Sequence, residues 1–85
     1  MTTTREDIRN WLARGQDQGA THVIIVCDGY DFEDYPVFVE PSEDVRQRAD
    51  EYTGKNLQSV MEVYSLTGRH TILSQLLEHR AFHYD

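Results

Sequence analysis

The longest unbroken run of β-branched residues in the chain is Val23-Ile24-Ile25-Val26. Such side chains are stiff at χ1 and fit the pleated surface of a strand. Because the run does not alternate with polar residues, it indicates a strand that is buried on both faces. We therefore predict a central strand over residues 21–28.

Two further segments have the character of strands. Residues 37–40 follow Pro36, which lacks a backbone N–H and suits the first residue or the edge of a strand. Alternation within residues 60–66 predicts a third strand, after a connection at residues 55–58. One predicted face of this strand carries Met61 and Val63, and the other carries Val60, Glu62 and Tyr64.

Apolar residues at helical spacing predict three helices, over residues 5–18, between Ser42 and Gly54, and over residues 69–81. Thr4 and Ser42 are suitable N-caps for the first two. Residues 1–3 are predicted to be a tail. The predicted apolar stripes are Ile8, Trp11 and Leu12; Val45, Ala49 and Tyr52; and Ile72, Leu73, Leu76 and Leu77.

These elements predict one small α+β domain over residues 1–85, in the order α-β-β-α-β-α. A right-handed crossover between the second and third strands leaves the first strand between them. We therefore predict a three-stranded, mainly antiparallel sheet of order 2-1-3 with three helices packed on it. The aromatic segment 81–85 is predicted to pack back on the sheet or on the first helix.

The connection between the first two predicted strands, residues 28–35, is both acidic and aromatic. Its Asp28-Gly29 pair is a turn signal. Because clustered carboxylates are costly to bury without partners, this loop must be solvated, bind a cation or meet the basic groups of a partner. Tyrosine is common at binding hot spots. We predict these partner-binding residues: Tyr30, Asp31, Phe32, Glu33, Asp34 and Tyr35. The alternative is that the rings fold back over the edge of the sheet.

Charge and composition limit the classes of partner. The net charge of −7 over 85 residues opposes binding to nucleic acid and to anionic membranes, and it favours a partner with a basic patch. The sequence shows no signal peptide and no apolar run near the ~20 residues that span a bilayer, so we expect a cytoplasmic protein. A chain this short buries only about 60% of its unfolded surface, which leaves a homodimer open.

Motifs of catalysis are absent from the sequence. It contains no Gly-rich phosphate loop, nucleophile elbow or H-E-x-x-H pair. The single cysteine, Cys27, precedes Asp28, whose charge disfavours a thiolate, and we predict a buried structural role for it. The sequence therefore assigns no catalytic residue, metal ligand or cofactor, and it favours a function other than catalysis.

Four segments of the chain together are similar to segments of known proteins. The pattern W-L-x-x-G-x-x-x-G-A-T-H-x-I-I-V-C-D is followed by E-D-Y-P-V, M-E-V-Y-S-L and H-R-A-F-H-Y-D, at residues 11–28, 33–37, 61–66 and 79–85. This combination resembles a group of short uncharacterised proteins encoded by bacteriophages and bacteria. The resemblance implies a small accessory protein and carries over no functional residue.

The sequence thus predicts a protein-interaction module that acts through the loop 28–35, with a phage-encoded modulator of a host protein as the role that the resemblance implies. One alternative is a metal-binding protein or metal-dependent enzyme. Its ligands would come from the acidic loop, from His79 and His83 with a third ligand from His70, Asp85 or elsewhere, or from both.

Another alternative is a structural subunit that assembles with itself. It would do so through one exposed sheet face. The residues predicted to share that face are Ile24, Val26, Phe38 and Tyr64.

Overall fold

In the part of the chain that the structure describes, three helices and three strands follow one another in the predicted order. The computed structural model describes residues 3–54 and 57–85, so the predicted tail and connection lie partly outside the described residues. The elements are α1 (Arg5–Gln18), β1 (His22–Asp28), β2 (Glu33–Val39), α2 (Val45–Asp50), β3 (Gln58–Ser65) and α3 (Ile72–Leu76). Both β2 and β3 pair antiparallel with β1, which confirms the α+β class and the strand order 2-1-3.

Helix α1 has the predicted bounds because its two ends are encoded locally. The Thr4 side chain accepts a hydrogen bond from the Asp7 backbone N–H, and the Asp7 carboxylate accepts one from the Thr4 N–H. This reciprocal pair satisfies two amides that the first helical turn leaves free. Gly19 ends the helix at φ 78°, a left-handed conformation that suits glycine.

The central strand β1 separates two apolar clusters, one on each face of the sheet. Residues 23–26 are at most 1% exposed, which confirms that this strand is buried on both faces. On one face Val23 and Ile25 pack with α1 and α3. On the other, Ile24 and Val26 pack with Val45 and Ala49 of α2. Both faces of the described sheet are therefore covered by helices.

Strand β3 contains a bulge that the sequence pattern does not reveal. Ile25 lies opposite Glu62 and Val26 lies opposite Val60, so Met61 has no partner in β1. The extra residue interrupts the alternation of side chains between the two faces of the sheet. Met61 therefore packs with Tyr64 on the α1 face, and Val60 packs with Val63 on the α2 face. The predicted division of this strand into two faces is wrong for that reason.

The face predicted for self-assembly is also not a single face. Ile24 and Val26 belong to the cluster beneath α2. Phe38 and Tyr64 belong to the opposite cluster, beneath α1 and α3. These four side chains therefore cannot form one exposed apolar surface.

Strand β2 begins at Glu33, four residues before the predicted start. Pairing with β1 extends from His22–Val39 to Asp28–Glu33, so Pro36 lies within the strand, opposite Ile25. Because β2 pairs with β1 alone, it is an edge strand, where proline is tolerated.

Helices α2 and α3 are shorter than predicted. Helix α2 is capped by the Asp44 carboxylate rather than by Ser42, although the predicted stripe of Val45, Ala49 and Tyr52 packs on the sheet. Helix α3 ends at Leu76, five residues before the predicted end. None of the described helices has the length and apolar character needed to cross a bilayer.

The segment after α3 leaves the helix because its backbone groups bind elsewhere. The Glu78 and His79 carbonyls accept hydrogen bonds from the Arg5 guanidinium. The Ala81 N–H donates to the Glu62 carboxylate. Ala81 and His83 then bond to the backbone of Val63, and this segment runs parallel to the outer edge of β3. The prediction that residues 81–85 pack back on the sheet is confirmed.

Candidate functional site

A tight four-residue loop, residues 29–32, joins β1 to β2. The Asp28 carboxylate accepts a hydrogen bond from the Tyr30 N–H at 2.9 Å, and the Asp28 carbonyl accepts one from the Phe32 N–H at 2.7 Å. The Gly29 N–H donates to the Leu57 carbonyl at 2.8 Å. A β-carbon at position 29 would lie only 2.6 Å from that oxygen, so the close approach requires glycine. The turn predicted from Asp28-Gly29 is therefore held by hydrogen bonds within the loop and by the bond to Leu57.

This loop presents two aromatic rings to solvent. Tyr30 is 79% exposed and Phe32 is 75% exposed. The acidic residues Asp31 and Glu33, which alternate with them, are also exposed. We call these four residues, Tyr30, Asp31, Phe32 and Glu33, the hairpin tip. It combines two large apolar surfaces with two carboxylates on a turn with a defined backbone.

Phe32 has a backbone φ of 56°, in the left-handed region. This conformation costs an L-residue roughly 1–2 kcal/mol, and glycine or asparagine normally occupies it. The hydrogen bond from the Phe32 N–H to Asp28 stabilises the conformation locally. A large aromatic side chain is therefore kept at a position where its backbone is strained and its ring is exposed.

Leu57 adds an apolar residue to the same end of the sheet, and sequence reasoning missed it. It is 67% exposed and has a φ of 63°. Its carbonyl accepts the Gly29 N–H, so it lies beside the turn. Leu57 falls in the predicted connection 55–58, and only the pairing of Asp28 with Gln58 places it beside the hairpin tip.

Two of the predicted binding residues do not lie at the tip. Tyr35 is half-buried within β2, meets Tyr52 edge-to-face at 6.5 Å, and its hydroxyl bonds to the Gln58 amide. Burial raises the pKa of the Tyr35 hydroxyl. Asp34 is half-buried beside Cys27 of β1. The structure thus brings four of the six predicted residues together at the tip and places Asp34 and Tyr35 further along β2, where they are half-buried.

Cys27 is half-buried rather than buried as predicted, and it has the environment of a structural thiol. Burial, followed by a hydrogen bond with Asp34 and by the nearby carboxylate charges, raises the pKa of the Cys27 thiol. A nucleophilic cysteine requires the opposite shift. The described surroundings of Cys27 therefore favour the protonated thiol.

A groove of about 350 Å³ lies between α1, β3 and the segment after α3, with Asp34 on its wall. Its charged residues are used within the fold. The Glu62 carboxylate accepts hydrogen bonds from Arg5 at 3.1 Å and from the Tyr64 hydroxyl at 2.9 Å. Burial raises the pKa of that hydroxyl, so it stays protonated and donates. Arg5 and Glu62 therefore hold the groove wall together and do not form a vacant polar site.

A second group of polar side chains gathers where α3 begins. The atoms of His70, His83 and Asp85 that could bind a metal all lie within 4.8 Å of one another. We call these three residues the histidine cluster. His79, predicted to pair with His83 on one helical face, is not part of it, because α3 ends at Leu76. The cluster arises because the segment 81–85 returns along β3.

No family model matches the chain, and no curated protein or solved structure matches it. The geometry of the hairpin tip and of the histidine cluster is therefore the basis for assigning a function.

Proposed function

We propose that this protein is an interaction module that binds a partner protein through the hairpin tip, and that the partner carries a basic patch. The observation that supports this proposal is the exposure of Tyr30 and Phe32, at 79% and 75%, on a turn with a defined backbone. Aromatic residues are enriched among the few side chains that supply most of the binding energy at interfaces.

The rings have the size to act as anchors. A Tyr or Phe side chain can bury roughly 150–250 Å². Truncation of a true hot spot costs about 2 kcal/mol or more, which corresponds to a roughly 30-fold loss of affinity. The turn is already ordered by its bonds to Asp28 and Leu57, so little backbone ordering remains when a partner binds.

The charges define the kind of partner. Asp31 and Glu33 are exposed beside the rings, and the whole chain carries a net charge of −7. Complementary charge mainly accelerates association and excludes partners of like charge. A basic surface with room for two aromatic side chains fits this tip. The resemblance to bacteriophage-encoded proteins favours a protein of the bacterial host as that partner.

The experiment places a photo-crosslinking amino acid at position 30 and, as a control, at position 77. Leu77 lies on the turn after α3 and is 78% exposed, so it matches Tyr30 in accessibility. We expect a partner that crosslinks in bacterial cells from position 30 and not from position 77. Crosslinking of the same proteins from both positions would contradict the proposal.

The partner so identified is then purified and its affinity is measured. The Tyr30→Ala/Phe32→Ala double variant should weaken binding at least 30-fold, whereas Leu77→Ala should leave the affinity unchanged. The Asp31→Asn/Glu33→Gln variant should slow association and reduce its dependence on salt. Equal affinity of the wild type and the aromatic double variant would refute the proposal.

A further inference from the structure

We infer that the histidine cluster, His70, His83 and Asp85, is a binding site for a first-row divalent transition-metal ion, with Zn²⁺ as the probe. This site is independent of the hairpin tip. The tip lies where Asp28 pairs with Gln58, and His70 follows the opposite end of β3, where Ser65 pairs with His22.

The ligand types suit such an ion. Imidazole nitrogen and carboxylate oxygen are both common ligands of zinc, and three protein ligands leave the fourth position of a tetrahedral ion open to water. Imidazole also binds copper, nickel and iron, whereas calcium and magnesium prefer sites made of oxygen. Two histidines and one carboxylate therefore indicate a transition metal.

The distances allow one ion to reach all three residues. Two ligands of a tetrahedral zinc, each about 2.0–2.1 Å from the ion, lie about 3.3 Å apart. His70 Nε2 and Asp85 Oδ2 are 3.1 Å apart, and the centroids of the His70 and His83 rings are 4.3 Å apart. The largest separation between the ligand atoms does not exceed 4.8 Å. Rotation of the exposed Asp85 side chain and of the half-exposed His70 ring can close the remaining gap.

The surroundings orient the ligands. The Glu78 carboxylate lies 2.6 Å from His83 Nε2. With Nε2 facing Glu78, the His83 ring can offer its other nitrogen, Nδ1, to the ion. Histidines that bind metals usually have their other ring nitrogen held by a carboxylate or a carbonyl in this way. The His83 backbone is fixed by its bond to Val63, and the Thr67 hydroxyl donates to the Asp85 carbonyl.

Binding at this site would connect two parts of the fold. His70 precedes α3, and the other two ligands lie in the segment that covers the outer edge of β3. An ion held by all three would attach that segment to the start of α3. We therefore expect the metal to stabilise the folded protein, by a rise in melting temperature of about 10–20 °C at an ion concentration 100-fold above Kd.

The experiment titrates chelator-treated protein with ZnCl₂ by calorimetry and records thermal unfolding with and without the ion. The expected result for the wild type is one ion per chain. The variants His70→Gln, His83→Gln and Asp85→Asn should each weaken binding at least tenfold. Glu78→Gln should weaken it by about 10–100-fold, the usual effect of removing a carboxylate that orients a ligand.

His79→Gln is the matched control, because it removes an exposed histidine of the same segment that is not in the cluster. It should bind zinc within twofold of the wild type. Absence of stoichiometric binding at 1 mM zinc would overturn the inference, as would equal losses in the His79 and His70 variants. Retention of full affinity in Asp85→Asn would also overturn it.

Folding of each variant is checked by circular dichroism. The His83 change could disturb the folding of the segment 81–85. The His70 variant then decides the test, because His70 is half-exposed and lies in a loop. Cobalt substitution gives a second readout, since tetrahedral Co²⁺ absorbs strongly in the visible range. The wild type should show that absorption, and its presence unchanged in His70→Gln would refute the assignment.

Discussion

Gln75 joins α3 to the outer edge of β3 with its side chain. Its Oε1 accepts a hydrogen bond from the Ser65 N–H at 2.7 Å, and its Nε2 donates to the Ser65 carbonyl at 2.9 Å. Both residues are at most 1% exposed. The side chain thus occupies the place that a neighbouring strand would take, next to the segment that pairs with Val63. Replacement of Gln75 by leucine keeps the approximate size and removes both bonds to Ser65, together with the longer contacts of Nε2 with the Thr71 and His70 carbonyls.

The expected cost follows from the two groups left behind. A buried N–H or C=O without a partner costs about 1–3 kcal/mol, so the two groups of Ser65 together cost about 2–6 kcal/mol. Burial of a leucine side chain offsets about 1–2 kcal/mol of this loss, because the unfolded chain already buries part of its apolar surface. We therefore expect Gln75→Leu to lower the free energy of unfolding by about 1–4 kcal/mol, out of the roughly 5–15 kcal/mol usual for a native protein.

Urea unfolding measures this change. With an m-value of about 1 kcal/mol/M, the midpoint should fall by about 1–4 M. Hydrogen exchange of the Ser65 amide in the folded protein should accelerate more than exchange of the central β1 amides. The control is Gln47→Leu, which changes an exposed glutamine of α2 and should shift the free energy of unfolding by less than about 0.5 kcal/mol. A Gln75→Leu protein as stable as the wild type would refute this assignment of the two bonds.

Three further changes test other parts of the structure. Trp11→Ala should cost about 2–4 kcal/mol in urea unfolding, because the half-buried ring packs on the α1 face of the core; a loss below 1 kcal/mol would contradict that packing. Phe32→Gly should raise the free energy of unfolding by about 0.5–1 kcal/mol, because it relieves the left-handed backbone. A lower melting temperature for this variant would mean that the ring stabilises the fold. Burial lowers the pKa of His22, and the charge of Asp85 opposes that shift in part. The unfolded chain therefore binds this proton more readily, and stability from His22 that is present above about pH 6.5 is lost as the pH falls below it. Urea unfolding at pH 7.5 and 5.5 should show a smaller acid loss for His22→Gln than for the wild type, and an equal loss would disprove the role of His22.

Local signals in the sequence were sufficient for α1 and for the position of β1. Thr4 and Asp7 at its start and Gly19 at its end determine both bounds of the helix through local hydrogen bonds. The unbroken run at residues 23–26 requires apolar neighbours on both faces, and this requirement places β1 between the other strands. The Asp28-Gly29 turn likewise needs only nearby groups, apart from the bond to Leu57.

The candidate sites were predicted only in part. The sequence left open whether the rings of Tyr30 and Phe32 are exposed or fold back over the sheet edge, and the structure shows both rings exposed on the tight turn. The inward placement of Asp34 and Tyr35 depends on pairing with β1, which adds four residues, 33–36, to the start of β2 and so decides which face of the sheet each side chain meets. Leu57 lies beside the hairpin tip, and the residues of the histidine cluster lie together, only because segments distant in sequence meet in the fold. Local spacing in the sequence does not predict such contacts.

The sequence by itself therefore determined the central strand, the first helix, the strand order and the turn at Asp28-Gly29, because each depends on local caps, on turn residues or on the apolar character of one segment. The tertiary structure alone decided the bulge at Met61, the early start of β2 and the end of α3 at Leu76. In these places backbone N–H and C=O groups form hydrogen bonds with residues that are distant in sequence rather than with near neighbours. Arg5 and Glu62 bind the backbone beyond α3, and the edge of β3 binds Ala81 and His83. Hydrogen bonds of this kind form only once the chain has folded, and they bring His83 and Asp85 to His70.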